Sequence, residues 1–216
     1  MIYRLLFLFV YGIITTSSII DAQSLLNQSD LDKRVRSFLD IQANQWSDMN
    51  VPAVDGQVLY DLIIENKYTN ALEIGTSTGH ASIWMAWALS KTGGKLTTIE
   101  INEWRRAQAL KNFKAAGLEN YIDARLADAH ELVHQLTGPF DFVFSDADKN
   151  WYQKYFSAID PKLKLNGCYT SHNVSKKNNS RWSANYLEFL KNQVHYKTEI
   201  NDKGAGMSIS YKIAEK

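Results

Sequence analysis

The chain has 216 residues, 45% apolar and 22% charged, with three prolines, eleven glycines and a formal net charge of +1. That length suits one domain at the usual roughly 100 to 200 residues per domain, and the composition excludes a disordered or fibrous chain. A charge this close to zero gives no field to gather nucleic acid or an anionic membrane, so the expected partner is a small molecule held by local groups. The lone Cys168 excludes an internal disulfide and any cysteine-based metal cluster, and reads as core.

The first element is an apolar run, residues 5–14, behind Arg4, followed by a Thr/Ser cluster and Asp21-Ala22-Gln23. This is the plan of a signal peptide over residues 1–22 with cleavage after Ala22, which predicts an exported protein, periplasmic or secreted. The alternative is a membrane anchor through residues 5–20, but Gly12 interrupts the run and it falls short of the roughly 20 apolar residues a spanning helix needs. No stable membrane insertion is expected after cleavage. Residues 23–216 form the remaining domain.

Leu31, Val35, Phe38, Leu39 and Ile41 fall near a helical period, and a second helix is predicted over residues 55–67. From there strands and helices alternate: strand 71–74, helix 83–89, strand 96–101, helix 104–116, strand 121–126, helix 129–136, strand 140–145 and helix 151–159. Strands separated by helices of this length require a parallel sheet with crossover helices on both faces. Residues 194–200 and 207–213 read as a terminal hairpin across the turn-rich link 201–206.

The most informative stretch is Glu73-Ile74-Gly75-Thr76-Ser77-Thr78-Gly79, an apolar strand entering two glycines and then a helix. Such glycines let the backbone turn sharply and approach a ligand. Glu100 ends the next strand, where a carboxylate can accept hydrogen bonds from both ribose hydroxyls, so the two features outline a nucleoside pocket. The pattern E-x-G-x-x-x-G departs from the G-x-G-x-x-G that sets a pyrophosphate on a helix N-terminus, and Glu73 suits a cationic amino-acid end instead. A nicotinamide-dependent reductase is disfavoured on both counts.

These motifs, with Asp55-Gly56-Gln57, Asp146-Ala147-Asp148-Lys149 and Asn173, resemble the cation-dependent O-methyltransferases, the group of the catechol and caffeoyl-CoA enzymes. The resemblance runs from Val51 to the C-terminus. It implies a Rossmann-like α/β fold, doubly wound, with a mostly parallel seven-stranded sheet, an antiparallel C-terminal hairpin strand and helices on both faces. It implies S-adenosylmethionine as cofactor, with Glu73, Gly75, Ser77 and Gly79 around the methionine part, Glu100 on the ribose and Val51 also at the cofactor. Asp128 and Ala129 would lie along the adenine, and Asp146 would border the cofactor. Ala81 departs from the family, which often has a serine there.

Methyl transfer from a sulfonium is an in-line displacement, so the enzyme must align two reactants and make the hydroxyl anionic. A divalent cation touching that oxygen lowers its pKa, and oxygen ligands suit Mg²⁺. By resemblance, Asp146 is a metal ligand and Lys149 the base or charge stabiliser. The family's other two ligands are Asp-Asn, whereas this chain has His172-Asn173. Replacing a hard carboxylate with imidazole disfavours Mg²⁺ relative to Mn²⁺, Fe²⁺ or Zn²⁺. His172 is alternatively a general base in a metal-free site.

His130, His134 and His195 lack metal-ligand spacing and read as surface residues, and residues 176–181 as a solvated loop or lid. The expected activity is methylation of a phenolic or catecholic hydroxyl on a small molecule, by a chain that could act as a homodimer. The competing expectation is an exported ligand-binding protein that keeps the fold without turnover.

Overall fold

A computed structural model describes residues 16–177 and 180–216, with side chains from residue 26 onward. The strands are β1 (Asn70–Ile74), β2 (Lys95–Glu100), β3 (Ile122–Leu126), β4 (Phe140–Ser145), β5 (Leu163–His172), β6 (Tyr196–Asn201) and β7 (Met207–Lys212). The helices are α1 (Thr16–Gln42), α2 (Ala53–Asn66), α3 (His80–Thr92), α4 (Glu103–Ala116), α5 (Ala129–Gln135), α6 (Tyr152–Ile159) and α7 (Arg181–Lys191). One seven-stranded sheet has the order β3-β2-β1-β4-β5-β7-β6. The strands β1 to β5 pair in parallel, and β7 runs antiparallel to both β5 and β6. This is the doubly wound α/β sheet that the alternation of strands and helices predicts.

All six residues of β4 are buried. Phe142 and Phe144 pack with Leu59, Ile63, Met85 and Leu89 of α2 and α3, while Val143 packs with Tyr155, Phe156 and Ile159 of α6. A strand covered on both faces needs apolar residues on both sides of its period of two, hence the unbroken run FDFVF with only Asp141 polar. Asp141 is accounted for at the strand's N-terminal end, where it accepts the backbone N–H groups of Thr69 (3.0 Å) and Asn70 (2.8 Å). It thereby pins β4 to the start of β1.

The helix α1 closes a third cluster through Val35 and Leu39 against Ile83, Trp87 and Phe113. Ile41, predicted to share that stripe, is 67% exposed. It follows Leu39 by two residues, about 200° around a helix, and so points away. Residues 5–14 lie outside the described residues. Among the described residues, no helix is long and apolar enough to cross a membrane.

A further correction concerns the C-terminal third. The helix α7 begins inside the stretch read as a loop, and buries Ser183, Tyr186 and Leu190 on the sheet. The predicted terminal hairpin forms as β6 and β7, paired antiparallel from Tyr196↔Lys212 to Asn201↔Met207. Its second strand, β7, inserts between β5 and β6.

The strand order reverses between β1 and β4, which pair from Ala71↔Phe142 to Ile74↔Ser145. Connections leave these two strands in opposite directions, and open α/β sheets bind ligands in the crevice that results at the strands' C-terminal ends.

Candidate active site

Gly75 follows β1 with φ at +99°, and a Cβ there would lie 2.5 Å from the backbone oxygen of Asp146. Only glycine permits both the positive φ and this close approach. The ends of β1 and β4 therefore meet across bare backbone. They open on a cavity of about 390 Å³ lined by Gly75, Ser77, Glu100, Asp128, Ala129 and Asp146, together with Met49, Ile99, Ile101, Arg105, Ala127, His130, Ala147, Asp148 and Tyr155.

Glu100 is 6% exposed and accepts the backbone N–H of Ser77 on Oε2 (2.8 Å) and of Asn102 on Oε1 (2.9 Å). Each oxygen retains a lone pair, so the carboxylate is held rigid while still able to accept two further donors. Asp128 caps α5 by accepting the His130 N–H at 2.8 Å. The His130 ring stacks on Trp151 with centroids 3.8 Å apart. His130, read from spacing as a surface residue, is thus part of the cavity wall.

Glu73, Gly79 and Val51 do not line this cavity. Glu73 is fully buried beneath the glycine turn and accepts hydrogen bonds from Ser82 Oγ and from Thr98 Oγ1 (2.5 Å). Burial, reinforced by Asp146 and Glu100, outweighs these bonds and pushes its carboxyl up to about 8. Its expected contact with a cationic ligand is corrected to an internal support of the turn: an isolated buried carboxyl takes up a proton rather than remaining charged.

A pH dependence follows. Glu73 rises from 4.5 to about 8 on folding, and His172, described below, from 6.5 to about 9. In both cases the native state binds the extra proton, so stability is highest below the unfolded values and falls as pH rises through the folded ones. For EDTA-treated protein, the urea midpoint is expected to decline between pH 4.5 and 9, and Glu73→Gln should flatten the part between 4.5 and about 8. Matching pH profiles for variant and wild type would refute this role of Glu73.

The segment before α2 clasps the glycine turn. Ser77 Oγ donates to the Asp48 carbonyl, Asn50 Nδ2 donates to Thr78 Oγ1 at 2.8 Å, and Arg105 Nε pairs with Asp48 Oδ2 at 2.8 Å. His80 is a satisfied structural residue. Its Nε2 accepts from Trp84 Nε1 (3.1 Å), so Nδ1 carries the proton donated to the Val51 carbonyl (2.7 Å), and the ring stacks on Trp46. Burial keeps it neutral by lowering its pKa. A larger cavity of about 570 Å³, walled by Trp46, Trp84 and Trp87, lies behind this clasp. It lacks Glu100, Asp146 and Lys149, and so stands apart from the polar chemistry.

That chemistry is concentrated at the ends of β4 and β5. Asp146 receives an ion pair from Lys149 Nζ, which also donates to Tyr152 OH at 2.7 Å. Tyr152 OH in turn donates to the His172 carbonyl at 3.1 Å. The His172 ring is 4% exposed, with Nε2 2.9 Å from Asp55 Oδ2 and Nδ1 3.0 Å from Asp146 Oδ2. Burial opposes a charge on His172, but Asp146 and Asp55 together outweigh it and raise the ring to about 9. Burial likewise works against the Asp146 carboxylate, yet His172 and Lys149 hold it below its ordinary value. Asn173 follows in the left-handed region at φ 60°, which asparagine tolerates better than most residues.

The fit of a cation can be judged from His172. Its Nδ1 is buried and, although close to Asp146, is out of line for a hydrogen bond. Bonds of about 2.1 Å to a six-coordinate ion place adjacent ligands about 3 Å apart, which is the separation found here. A separation of 3.0 Å is equally that of a charge-assisted N–H···O contact, and a ring raised to about 9 carries a proton on each nitrogen near neutral pH, so a cation would bind here only by displacing the Nδ1 proton. Among the described residues, no three His, Cys, Asp or Glu form a metal cage; Asp146, His172 and Asn173 are the set that the family resemblance implies.

Sequence reasoning missed Asp55 as the partner of His172, along with Met49, Arg105 and Tyr155 in the cavity. Asp55 stands in the Asp55-Gly56-Gln57 motif, but its pairing with His172, like the reach of the other three into the cavity, is set by packing. His195, expected on the surface, is 7% exposed and pairs with Asp160 at 3.1 Å. His134 is exposed as expected.

A parallel sheet with a nucleoside-sized cavity at its switch point, beside a carboxylate, lysine and histidine cluster, defines a Rossmann-like methyltransferase architecture. An O-methyltransferase from Bacillus cereus, solved with SAH, has this fold with a TM-score of 0.70 at 24% identity, over 83% of this chain and 90% of that one. The chain belongs to the O-methyltransferase family, whose profile matches residues 24–196. A putative caffeoyl-CoA O-methyltransferase from Staphylococcus aureus superposes with a TM-score of 0.68 at 27% identity, covering 91% of this chain and 98% of that one. A catechol O-methyltransferase of Niastella koreensis is 38% identical over 122 residues, 52% of this chain and 55% of that protein. The chain spans about half the length of most of the curated relatives it matches.

Proposed function

We propose that this chain transfers the methyl group of S-adenosylmethionine to a hydroxyl of a small phenol or catechol, assisted by a divalent cation at Asp146, His172 and Asn173. The observation that carries the proposal is the adjacency of two sites at the ends of β1 and β4. One is a cavity with Glu100 poised for two hydroxyl donors, and the other is the Asp146, Lys149 and His172 cluster. The names of the relatives support the acceptor class.

When bound, adenosylmethionine supplies an electrophilic methyl group, and the cation supplies a charge that acidifies the acceptor hydroxyl. Glu100 would orient the ribose, and the Asp128 end of the cavity would receive the base. In the transfer the methyl C–S bond breaks with its electron pair going to sulfur, a C–O bond forms, and the hydroxyl proton leaves to solvent. Lys149, held by Asp146 and Tyr152, stabilises the oxyanion as an ammonium group. A base role for His172 has little geometric support, because both ring nitrogens face carboxylates and the ring is almost wholly buried.

The deciding experiment is a methyl-transfer assay on a catechol panel, with calorimetric titration of adenosylmethionine. Activity lost in EDTA and restored by Mn²⁺ or Mg²⁺ is expected. Indifference to EDTA and to Asp146→Ala, with loss on His172→Ala, would overturn the metal-assisted form. Cofactor binding without turnover on any acceptor would favour a ligand-binding protein, and absence of cofactor binding would sink both readings. Export is proposed on Arg4 and the apolar run 5–14. The mass of the mature N-terminus from the native host decides between cleavage after Ala22 and an anchor.

A further inference from the structure

The strand β6 ends the sheet, and among the described residues only its β7 side is paired. One bond at its start fixes which backbone groups face outward. The Ile213 N–H donates to the His195 carbonyl at 2.9 Å, which makes residues 195 and 213 a hydrogen-bonded pair of the antiparallel ladder. Such pairs recur at every second residue. Lys197 and Glu199 therefore bond inward to β7, while both backbone groups of Thr198 and Ile200, and the C=O of Tyr196, point to the open edge. The Tyr196 N–H is turned instead to the Gln193 carbonyl, at 2.9 Å. Side chains alternate as well. Tyr196, Thr198 and Ile200 face α7 and, with Leu187, Leu190 and Lys191, line an open groove of about 330 Å³ along the edge. Lys197 and Glu199 are exposed on the opposite face.

An open row of backbone donors and acceptors is a template for another strand, and a lone charge on it keeps a second copy away. Here two charges of opposite sign flank Thr198, one residue to each side. In an antiparallel pair of copies related by a two-fold axis at Thr198, Lys197 of each copy lies opposite Glu199 of the other. These are non-hydrogen-bonded positions, where side chains come closest. An axis at residue 197 or 199 would instead set lysine against lysine or glutamate against glutamate, which is unfavourable. The Thr198 axis also matches the outward groups: the two Thr198 residues exchange N–H and C=O bonds, and each Ile200 N–H meets the Tyr196 C=O of the other copy. On the α7 face each Tyr196 ring then stands opposite Ile200 of the other copy, an aromatic and β-branched pair of the kind that stabilises sheets. We propose that β6 is a self-recognition edge: its partner is a second copy of this chain, joined about Thr198 so that the two sheets become one, with both α7 helices on the same face.

The test is sedimentation equilibrium of the full chain from micromolar to near-millimolar concentration, with hydrogen exchange read at single amides over the same range. Wild type should pass from monomer to dimer, and the Thr198 and Ile200 amides should become protected as it does. Lys197→Glu should weaken association about tenfold or more, because it turns both opposite-charge pairs into like-charge ones. The double variant Lys197→Glu with Glu199→Lys restores opposite charges in the same register, and should recover association to within about threefold of wild type. Thr198→Pro removes an N–H that faces outward, so it spares the ladder to β7, yet it should abolish the dimer. A wild type that stays monomeric throughout would overturn the proposal and leave the edge to a different chain. A dimer whose Thr198 and Ile200 amides exchange as fast as in the monomer would also overturn it. So would a dimer indifferent to both Lys197→Glu and Thr198→Pro, or a folded double variant that associates no better than Lys197→Glu alone. The wild-type exchange data decide even if no variant folds.

Discussion

Replacing Glu100 with glutamine is expected to weaken S-adenosylmethionine binding by about two orders of magnitude. Hydrogen bonds to a charged group contribute about 1.5–3 kcal/mol each, and the proposed contact with two ribose hydroxyls uses two of them. A net loss of about 3 kcal/mol is roughly a hundredfold in affinity. The substitution also faces an amide NH₂ toward one of the two backbone N–H groups now paired with Glu100, those of Ser77 and Asn102. Local order of the glycine turn should therefore suffer along with affinity. Calorimetry with the cofactor, beside a thermal melt of the free variant, separates the two effects. A variant that melts like wild type and binds within threefold of it would show that the ribose is held elsewhere.

The second large effect is expected at Lys149. Lys149→Met keeps the aliphatic stem and removes the ammonium group that spans Asp146 and Tyr152. A positioned acid, base or charge stabiliser contributes about 10²- to 10⁴-fold to turnover. The variant should lose that much in kcat on a catechol while cofactor affinity stays near wild type, because Lys149 does not line the nucleoside cavity. A kcat within fivefold of wild type would remove Lys149 from the reaction. Tyr152 would not replace it, since burial and the nearby Asp146 raise its hydroxyl pKa well above the ordinary value.

Most of the sheet was legible in the chain because its strands are short apolar runs that end in glycine or carboxylate, with helices between them. The residues 71–74, 96–101 and 140–145 mark β1, β2 and β4 to within a residue or so. The helix α7 was hidden because it starts among Lys, Asn, Ser and Arg, and its buried face is set by Ser183, Tyr186 and Leu190 rather than by an aliphatic stripe. In the site, Glu100 and Gly75 were readable, since a strand-end carboxylate and a turn glycine announce their geometry locally. Glu73 was misread in orientation. Its neighbours in sequence fix where the backbone goes, but Ser82 and Thr98, from α3 and β2, decide which way its carboxyl turns. Asp55 could not be found from spacing, because it lies 117 residues from its partner His172.

The insertion of β7 between β5 and β6 has a consequence for the order in which the molecule can be made. Chains emerge from the ribosome N-terminus first, so β6 is synthesised before the strand that tethers it to the sheet, and β5 remains an open edge until then. His172 sits at the tip of β5 opposite Met207, and its carboxylate partner Asp55 is held from behind by Ala205. The backbone contact behind Asp55 and the strand pairing opposite His172 are thus made only once residues 205–212 exist. A nascent chain stalled before that point has every residue that lines the nucleoside cavity but lacks the Ala205 N–H that Asp55 accepts and the strand that pairs with His172.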